Sequence, residues 1–306
     1  MFDGAILLTG ASGLIGYAVS DRLERQGRSW AGVDLKPPRT GLMLDIRDTA
    51  RLARCIDRAS GIIHLAAVSR VIHGERDPWL CRAVNVDATA AILDTALKAP
   101  SRPWVIYASS REVYGEQARQ PVSEDATQQP LNTYARSKAD AERLVNEARD
   151  AGLRTAILRF SNVYGGTNDH DDRVVPAFVK AALAGGIMRV EGDQVFLDLT
   201  HVADVADGIL CVVDALDDGE RRFPPIHLVS GEARSLLELA NTADEVVGRR
   251  ARIVMAPPRS FDVHRFVGDP RRALALLGWR TTISLRTGLA DYARVLAQQD
   301  EETDRP

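Results

Sequence analysis

Cysteine is scarce: Cys55, Cys81 and Cys211 stand far apart in a chain of 306 residues. An odd, scattered set makes no disulfide framework, and no C-x-x-C pair offers a zinc site. A reducing, cytoplasmic compartment is the expectation. An excess of either charge is missing too: 39 Lys and Arg oppose 42 Asp and Glu, for a net charge of −3 and a pI ≈ 6.1. Such a chain carries no basic footprint for nucleic acid. No apolar run approaches the ~18 residues of a membrane helix, so no membrane partner is expected. No basic stretch leads into an apolar run near Met1, so no signal peptide is expected. Internal repeats are lacking as well. What remains is an ordinary globular composition, 45% hydrophobic and 26% charged. At this length it can bury about three quarters of its unfolded surface without staples.

Apolar runs alternate with helical patterns through the first half. Strand-like runs fall at Ala5 to Leu8, Ser29 to Val33, Leu42 to Leu44, Gly61 to Leu65, Trp104 to Ala108 and Thr155 to Leu158. Helical spacing covers Leu14 to Gln26, Thr49 to Asp57, Pro78 to Leu97 and Tyr134 to Ala151. This order requires crossover connections and therefore an α/β fold, a doubly wound parallel sheet of the Rossmann type covered on both faces. After Gly165 the rhythm is irregular. A helix is predicted from Val174 to Ala184, stopped by Gly185 and Gly186, with others near 201–216, 235–247 and 269–277. The reading is a cofactor lobe over 1–165 with a return segment at about 196–220. A smaller interleaved α/β substrate-binding lobe covers 166–195 and 221–298, and a polar tail at 299–306 is expected to fray.

Between the first strand and the first helix stands TGASGLIG, with Gly10, Gly13 and Gly16 spaced G-x-x-G-x-x-G. Glycine there permits a tight turn, close approach of backbone to phosphate and close packing of helix on strand. The backbone of Ser12, Leu14 and Ile15 would then meet a pyrophosphate at a helix N-terminus. Asp34 ends the second strand. A carboxylate there accepts the ribose hydroxyls and repels a 2′-phosphate, which favours NAD over NADP, although Lys36 and Arg39 lie nearby. Asp45 and Ile46 follow the third strand and are candidates to cap the adenine; a simple turn aspartate is the equal alternative.

Tyr134 and Lys138 are four apart at the start of a helix and so share a face. An ammonium beside a phenol favours phenolate and lowers a pKa that starts near ~10. The fifth strand ends in Ala108, Ser109 and Ser110, and strand C-terminal ends are where ligands bind in open α/β sheets. Ser110 is therefore a candidate to hydrogen-bond the reacting oxygen. Arg70, after the fourth strand, is a candidate to reach substrate, against the commoner reading of a surface arginine. Asn168, Asp169, His170, Asp171 and Asp172 gather on one polar loop, but adjacent side chains define no coordination geometry, so no metal is expected.

The chain resembles the extended short-chain dehydrogenases/reductases of the nucleotide-sugar epimerase/dehydratase group. The likeness spans TGASGLIG, HLAA at 64–67, NVDAT at 85–89, SSREVYG at 109–115, YARSK at 134–138, RFSNVYG at 159–165, HVADVADGI at 201–209 and LGW at 277–279. It implies that Tyr134 is the acid/base, that Lys138 holds the nicotinamide ribose and that Ser110 orients the substrate hydroxyl. It also places Leu65, Ala66, Ala67 and Asn85 near the cofactor, with Asn85 plausibly structural. It further implies a homodimer through a four-helix bundle built from about 78–98 and 134–151.

The resemblance implies hydride transfer from a sugar carbon, often C4, to bound NAD, giving a transient 4-keto sugar and enzyme-bound NADH. The leading reading is an NAD-dependent nucleotide-sugar 4-epimerase. The alternatives are a nucleotide-sugar dehydratase using Glu112 as base, and a net oxidoreductase of a non-nucleotide sugar or polyol. Typical 4,6-dehydratases carry an Asp-Glu pair after the catalytic Ser/Thr; here those positions are Arg111 and Glu112. A guanidinium does not serve as the acid. On the substrate side, Arg111 is a candidate contact next to Ser110, and Asn162 and Arg259 match positions that contact sugar or diphosphate in relatives. Relatives also carry an Arg where this chain has Leu197, which removes a charge-assisted contact. Arg189 and Arg173 are candidates to replace it.

Overall fold

The computed structural model describes residues 3–192, 195–220, 223–257, 263 and 265–303. In chain order the first half gives β1 (Ile6–Thr9), α1 (Leu14–Arg25), β2 (Trp30–Asp34), β3 (Gly41–Met43), α2 (Thr49–Ile56), β4 (Gly61–His64), α3 (Val71–Arg76), α4 (Pro78–Arg82), α5 (Ala88–Lys98), β5 (Trp104–Ser110), α6 (Thr133–Asp150) and β6 (Thr155–Phe160). The second half gives β7 (Asn162–Tyr164), α7 (Val174–Ala184), β8 (Ile187–Glu191), β9 (Phe196–His201), α8 (Val202–Asp217), β10 (Ile226–Leu228), β11 (Ala233–Ser235), α9 (Leu236–Val247), β12 (Arg252–Ala256), α10 (Arg271–Leu277) and α11 (Leu285–Thr303).

Seven strands form one parallel sheet in the order β10-β6-β5-β4-β1-β2-β3. Its strands read as continuous apolar runs because both faces are covered. The period of two shows within β1: Ile6 and Leu8 pack toward α1 and α8, whereas Leu7 packs toward α2, α5 and α6. Register aligns Thr9 with Val33 on one side and His64 on the other, so β1, β2 and β4 end level. The order reverses at β1, and the crevice beyond its carboxyl end is where such sheets bind ligands.

The smaller part combines a sheet β11-β9-β7 with the pair β12-β8. α7, α9 and α11 close a third core over them, through Phe178, Val179, Leu239, Leu289 and Tyr292. Asp198 is fully buried in β9 and takes hydrogen bonds from the backbones of Ser230, Gly231 and Gly268 and from the Ser230 hydroxyl. Burial raises its pKa against those bonds. It ties β9 to the loops at Ser230–Gly231 and Gly268.

Three features differ from the sequence expectations. The helix predicted over 78–97 is interrupted by a π-turn at Ala83–Asp87, which turns Asn85 inward. β10 joins the main sheet from within the stretch expected to form only the smaller lobe. α11 continues past Gln298, where polar composition predicted fraying. Its buried positions Leu289, Tyr292, Ala293 and Leu296 follow i, i+3, i+4, i+7.

Candidate active site

The nucleotide end is built at the exit of β1. α1 starts from Gly13, which has no side chain to cap the helix, and its first turn carries no acid. Its leading N–H groups are therefore open to an anion. Gly10 has φ +73, and a Cβ there would lie 2.7 Å from the Ala66 nitrogen; one on Gly16 would lie 2.0 Å from the Gly10 oxygen. Both positions exclude any larger residue. Leu65, Ala66 and Ala67 follow β4 as half-buried residues, and the Ala66 N–H donates to Thr9 Oγ1 at 3.3 Å.

Asp34 accepts the Ser12 N–H on Oδ2 and the Lys36 N–H on Oδ1, each at 3.0 Å. Each oxygen keeps a lone pair for a ribose hydroxyl. Arg39 is engaged by Glu24 at 2.6 Å and lies over the Tyr17 ring, so it is not held for a 2′-phosphate. Asp45 is committed to Arg47, which holds its carboxyl below the ordinary range. Ile46 is buried in the core under α2. Asn85 spends its amide on Val68 and Ser137, accepting the Val68 N–H and donating to Val68 O and Ser137 Oγ. The cradle of glycine backbone, helix end and strand-end carboxylate fits NAD.

The proton-transfer end lies where β5 meets α6. Asn132 caps α6 by accepting the Ala135 N–H at 2.8 Å, which sets Tyr134 in the first turn. Ser110, the last residue of β5, sits beside Tyr134, and its hydroxyl favours the ionised phenol. Lys138 donates to the Ala108 carbonyl at 2.7 Å, and its ammonium lies 6.0 Å from the Tyr134 ring centroid. The expected lowering of the tyrosine by this lysine is not what the surroundings produce. Burial pushes Tyr134 up to about 12, opposed by the Ser110 hydroxyl and, more weakly, by the charge of Arg173. Burial also brings Lys138 down to about 8.

Arg111 and Glu112 follow in a 3₁₀ turn (Arg111–Tyr114), both buried. Arg111 Nη2 lies 3.3 Å from Glu112 Oε1, and Asn132 Nδ2 donates to Glu112 Oε2 at 3.4 Å. Arg111 Nη1 is buried with no hydrogen-bond partner.

A buried network supports this corner from behind. Arg159 on β6 donates to both oxygens of Glu142 on α6, at 2.8 and 2.6 Å. Ser109 and Gln128 donate to the same carboxylate. Arg159 also donates to Tyr114 Oη at 2.5 Å. Tyr114 Oη and His227 Nε2 share a hydrogen bond at 2.7 Å. Burial, followed by the Arg159 charge, brings the His227 pKa to about 3 and keeps the ring neutral. His64, between Thr9 and Thr89, falls to about 3 through burial and then Lys138. Both histidines bind a proton more readily when unfolded, near their ordinary 6.5. Their contribution is therefore present above that value and lost as pH falls from about 6.5 toward 3, at up to about 1.4 kcal/mol per pH unit each. Urea unfolding at pH 7 and pH 5 should show the midpoint falling with acid. The fall should be shallower in His64→Asn, and an equal fall in both proteins would contradict this assignment.

On the substrate side, Arg70 is paired in two places with Asp172 of the polar loop. The other loop carboxylates face different cations, Asp169 to Arg173 and Asp171 to Lys180. Asn162 stands at the head of β7 with its Nδ2 buried and unpartnered. Leu197 packs into the third core. Arg189 pairs with Glu191 on β8. The cation that sequence reasoning missed is Arg234, directly across from Leu197 in the antiparallel β11–β9 register. Its Nη2 pairs with Glu232, while its Nε is buried without a partner. No local pattern announces a cross-strand neighbour 37 positions away. Arg259 lies outside the described residues.

Residues 6–223 match the model of the NAD dependent epimerase/dehydratase family. The UDP-glucose 4-epimerase of Mycolicibacterium smegmatis is 30% identical, with 93% of this chain and 96% of that protein covered. UDP-glucuronate 4-epimerase 5 of Arabidopsis thaliana is 27% identical over 94% of this chain and 74% of that protein. Among solved structures, MoeE5 in complex with UDP-glucuronic acid and NAD superposes with a TM-score of 0.88 at 29% identity, covering 97% of this chain and all of that one. The UDP-glucose 4-epimerase of Thermotoga maritima with UDP-glucose gives a TM-score of 0.90 at 26% identity, covering 96% and 99%.

Proposed function

The chain belongs to the NAD dependent epimerase/dehydratase family, and we propose that it is a nucleotide-sugar 4-epimerase acting on a UDP-hexose or a close relative. One observation carries the reading. Tyr134 and Ser110 lie side by side at the end of β5, where α6 begins, and the next residues supply no second acid. Both oxygens of Glu112 face donors, Arg111 and Asn132. Those donors hold Glu112 as a carboxylate, and with Arg111 in the neighbouring position there is no second acid for an elimination, which favours a site that oxidises and reduces one carbon.

Bound NAD supplies the two-electron oxidation and its reversal at C4. Tyr134, as the phenolate favoured by Ser110 and by the positive charges of Lys138 and of bound NAD, would take the O4 proton as the C4–H bond breaks and return it when the ketone is reduced on its other face. Ser110 hydrogen-bonds the same oxygen and holds it in line with Tyr134. Lys138 keeps positive charge below the phenol. Proton and electron pair return to the sugar, so the reaction is redox-neutral. The test offers the purified protein UDP-, GDP-, dTDP- and CDP-sugars and follows C4 inversion by NMR. Inversion of at least one is expected; inversion of none would overturn the reading.

The cofactor lobe comprises the seven-stranded sheet, β10 included, with the helices on its faces, α8 among them; the smaller part, to which β7 and β9 belong, holds the sugar nucleotide. Asn162 and Arg234 contact the diphosphate, Arg234 in place of the arginine absent at Leu197. Support comes from their unpartnered buried nitrogens. Arg234→Met is expected to raise KM about tenfold with kcat little changed, the value of one hydrogen bond to a charged group. A KM equal to wild type would remove Arg234 from the site. The protein works in the cytoplasm as a homodimer joined through α4, α5 and α6. Trp79, 84% exposed, and Ile72 and Leu80, also exposed, lie on or beside that face.

A further inference from the structure

A buried cation with an unpartnered nitrogen stands one residue past Ser110. Arg111 follows Ser110 directly and is only 8% exposed. Its guanidinium lies over the Phe266 ring, 5.7 Å from the centroid. A planar cation stacked in this way offers its hydrogen bonds only along its edges. One edge, through Nη2, meets Glu112; Nη1 is buried and unpartnered. Leaving such a donor without an acceptor costs about 1–3 kcal/mol, and side chains of the described residues do not relieve it. Glu112 uses its other oxygen to accept from Asn132.

The position of this cation limits what can fill it. Ser110 and Tyr134 bracket the C4 oxygen in the proposed reaction. In a hexopyranose C4 lies across the ring from C1, which carries the nucleotide diphosphate. A phosphate therefore cannot reach Arg111 while C4 is at Tyr134. The groups next to C4 are the C3 hydroxyl and the substituent on C5. A hydroxyl is a neutral acceptor and gains little from a cation; a C6 carboxylate forms the charge-assisted pair that the open edge is shaped for. Taking the 4-epimerase reading as its basis, we infer that Arg111 binds the C6 carboxylate of a nucleotide-linked hexuronate, and that the substrate is a uronate rather than a neutral hexose.

The test compares UDP-glucuronate with UDP-glucose on the full chain, by kcat/KM for C4 inversion and by calorimetric Kd. Wild type is expected to favour the uronate by about 10- to 100-fold in both measurements, the range of a hydrogen bond to a charged group. Arg111→Met should reduce that ratio about tenfold or more, and Arg111→Lys should keep part of it, as a point charge without the edge geometry. A wild-type ratio at or below unity would overturn the inference, as would an Arg111→Met ratio equal to wild type. Should Arg111→Met fail to fold, the wild-type and Arg111→Lys ratios decide. Should neither sugar be inverted, the 4-epimerase reading falls, and the binding ratio still decides whether Arg111 reads a carboxylate.

Discussion

Replacing Tyr134 with phenylalanine is expected to lower kcat by about 10²- to 10⁴-fold, the usual contribution of a positioned general acid/base. The ring is buried, and phenylalanine keeps its volume, so the fold loses little beyond the polar contact with Ser110. The KM for a UDP-sugar should move little, because the hydroxyl acts chiefly as the proton leaves O4. The same signature separates Tyr134 from its neighbours: Ser110→Ala should cost less, since it removes an orienting bond and leaves the base in place. A Tyr134→Phe protein with kcat within about threefold of wild type would remove the tyrosine from the reaction.

Arg159→Met carries the largest expected loss of stability. It leaves the Glu142 carboxylate, 3% exposed at the side chain, without its cation. It also takes away the donors to Tyr114 Oη and the Glu124 carbonyl. Breaking a buried pair on one side typically costs about 3–5 kcal/mol, a large part of the roughly 5–15 kcal/mol that holds a domain folded. Because Glu142 also takes the Ser109 hydroxyl, activity should fall through a displaced Ser110 as well. The double change Arg159→Met with Glu142→Leu should recover much of the stability, since two apolar side chains leave no stranded charge. Urea unfolding followed by circular dichroism measures both. A loss below about 1 kcal/mol in the single variant would place the pair among the weak ones.

The main sheet was legible because each of its strands is a short apolar run bounded by turn residues, and both faces bury alternating side chains. The glycine turn and Asp34 were legible for a similar reason: their chemistry is local, set by backbone clearance and a strand end. Tyr134, Lys138 and Ser110 were found by motif, but their electrostatics were not. Four-residue spacing says that two side chains share a face; it does not say that the lysine is drawn to the Ala108 carbonyl, or that burial outweighs its charge at the phenol.

The ion pairs that decide the roles of Arg70, Asp45 and Arg111 are set by tertiary placement. So is the pairing of Arg234 with Leu197, since register between distant strands has no local sequence mark. The interruption at Ala83–Asp87 was invisible for another reason. Its residues include no glycine or proline to mark a break, and what selects the π-turn is the partner that Asn85 finds at Val68 and Ser137. α11 is different, since its apolar spacing was present in the sequence and its polar face obscured it.

The account's central claim is a redox-neutral inversion in which C4 loses and regains the same hydrogen. A UDP-hexose or UDP-hexuronate deuterated at C4, incubated with the protein in ordinary water, tests it directly. The account predicts that the C4 epimer forms with the deuterium still on C4 and with no net consumption of NAD. Loss of the label to solvent, accumulation of a keto or dehydrated sugar, or stoichiometric reduction of added NAD would contradict it.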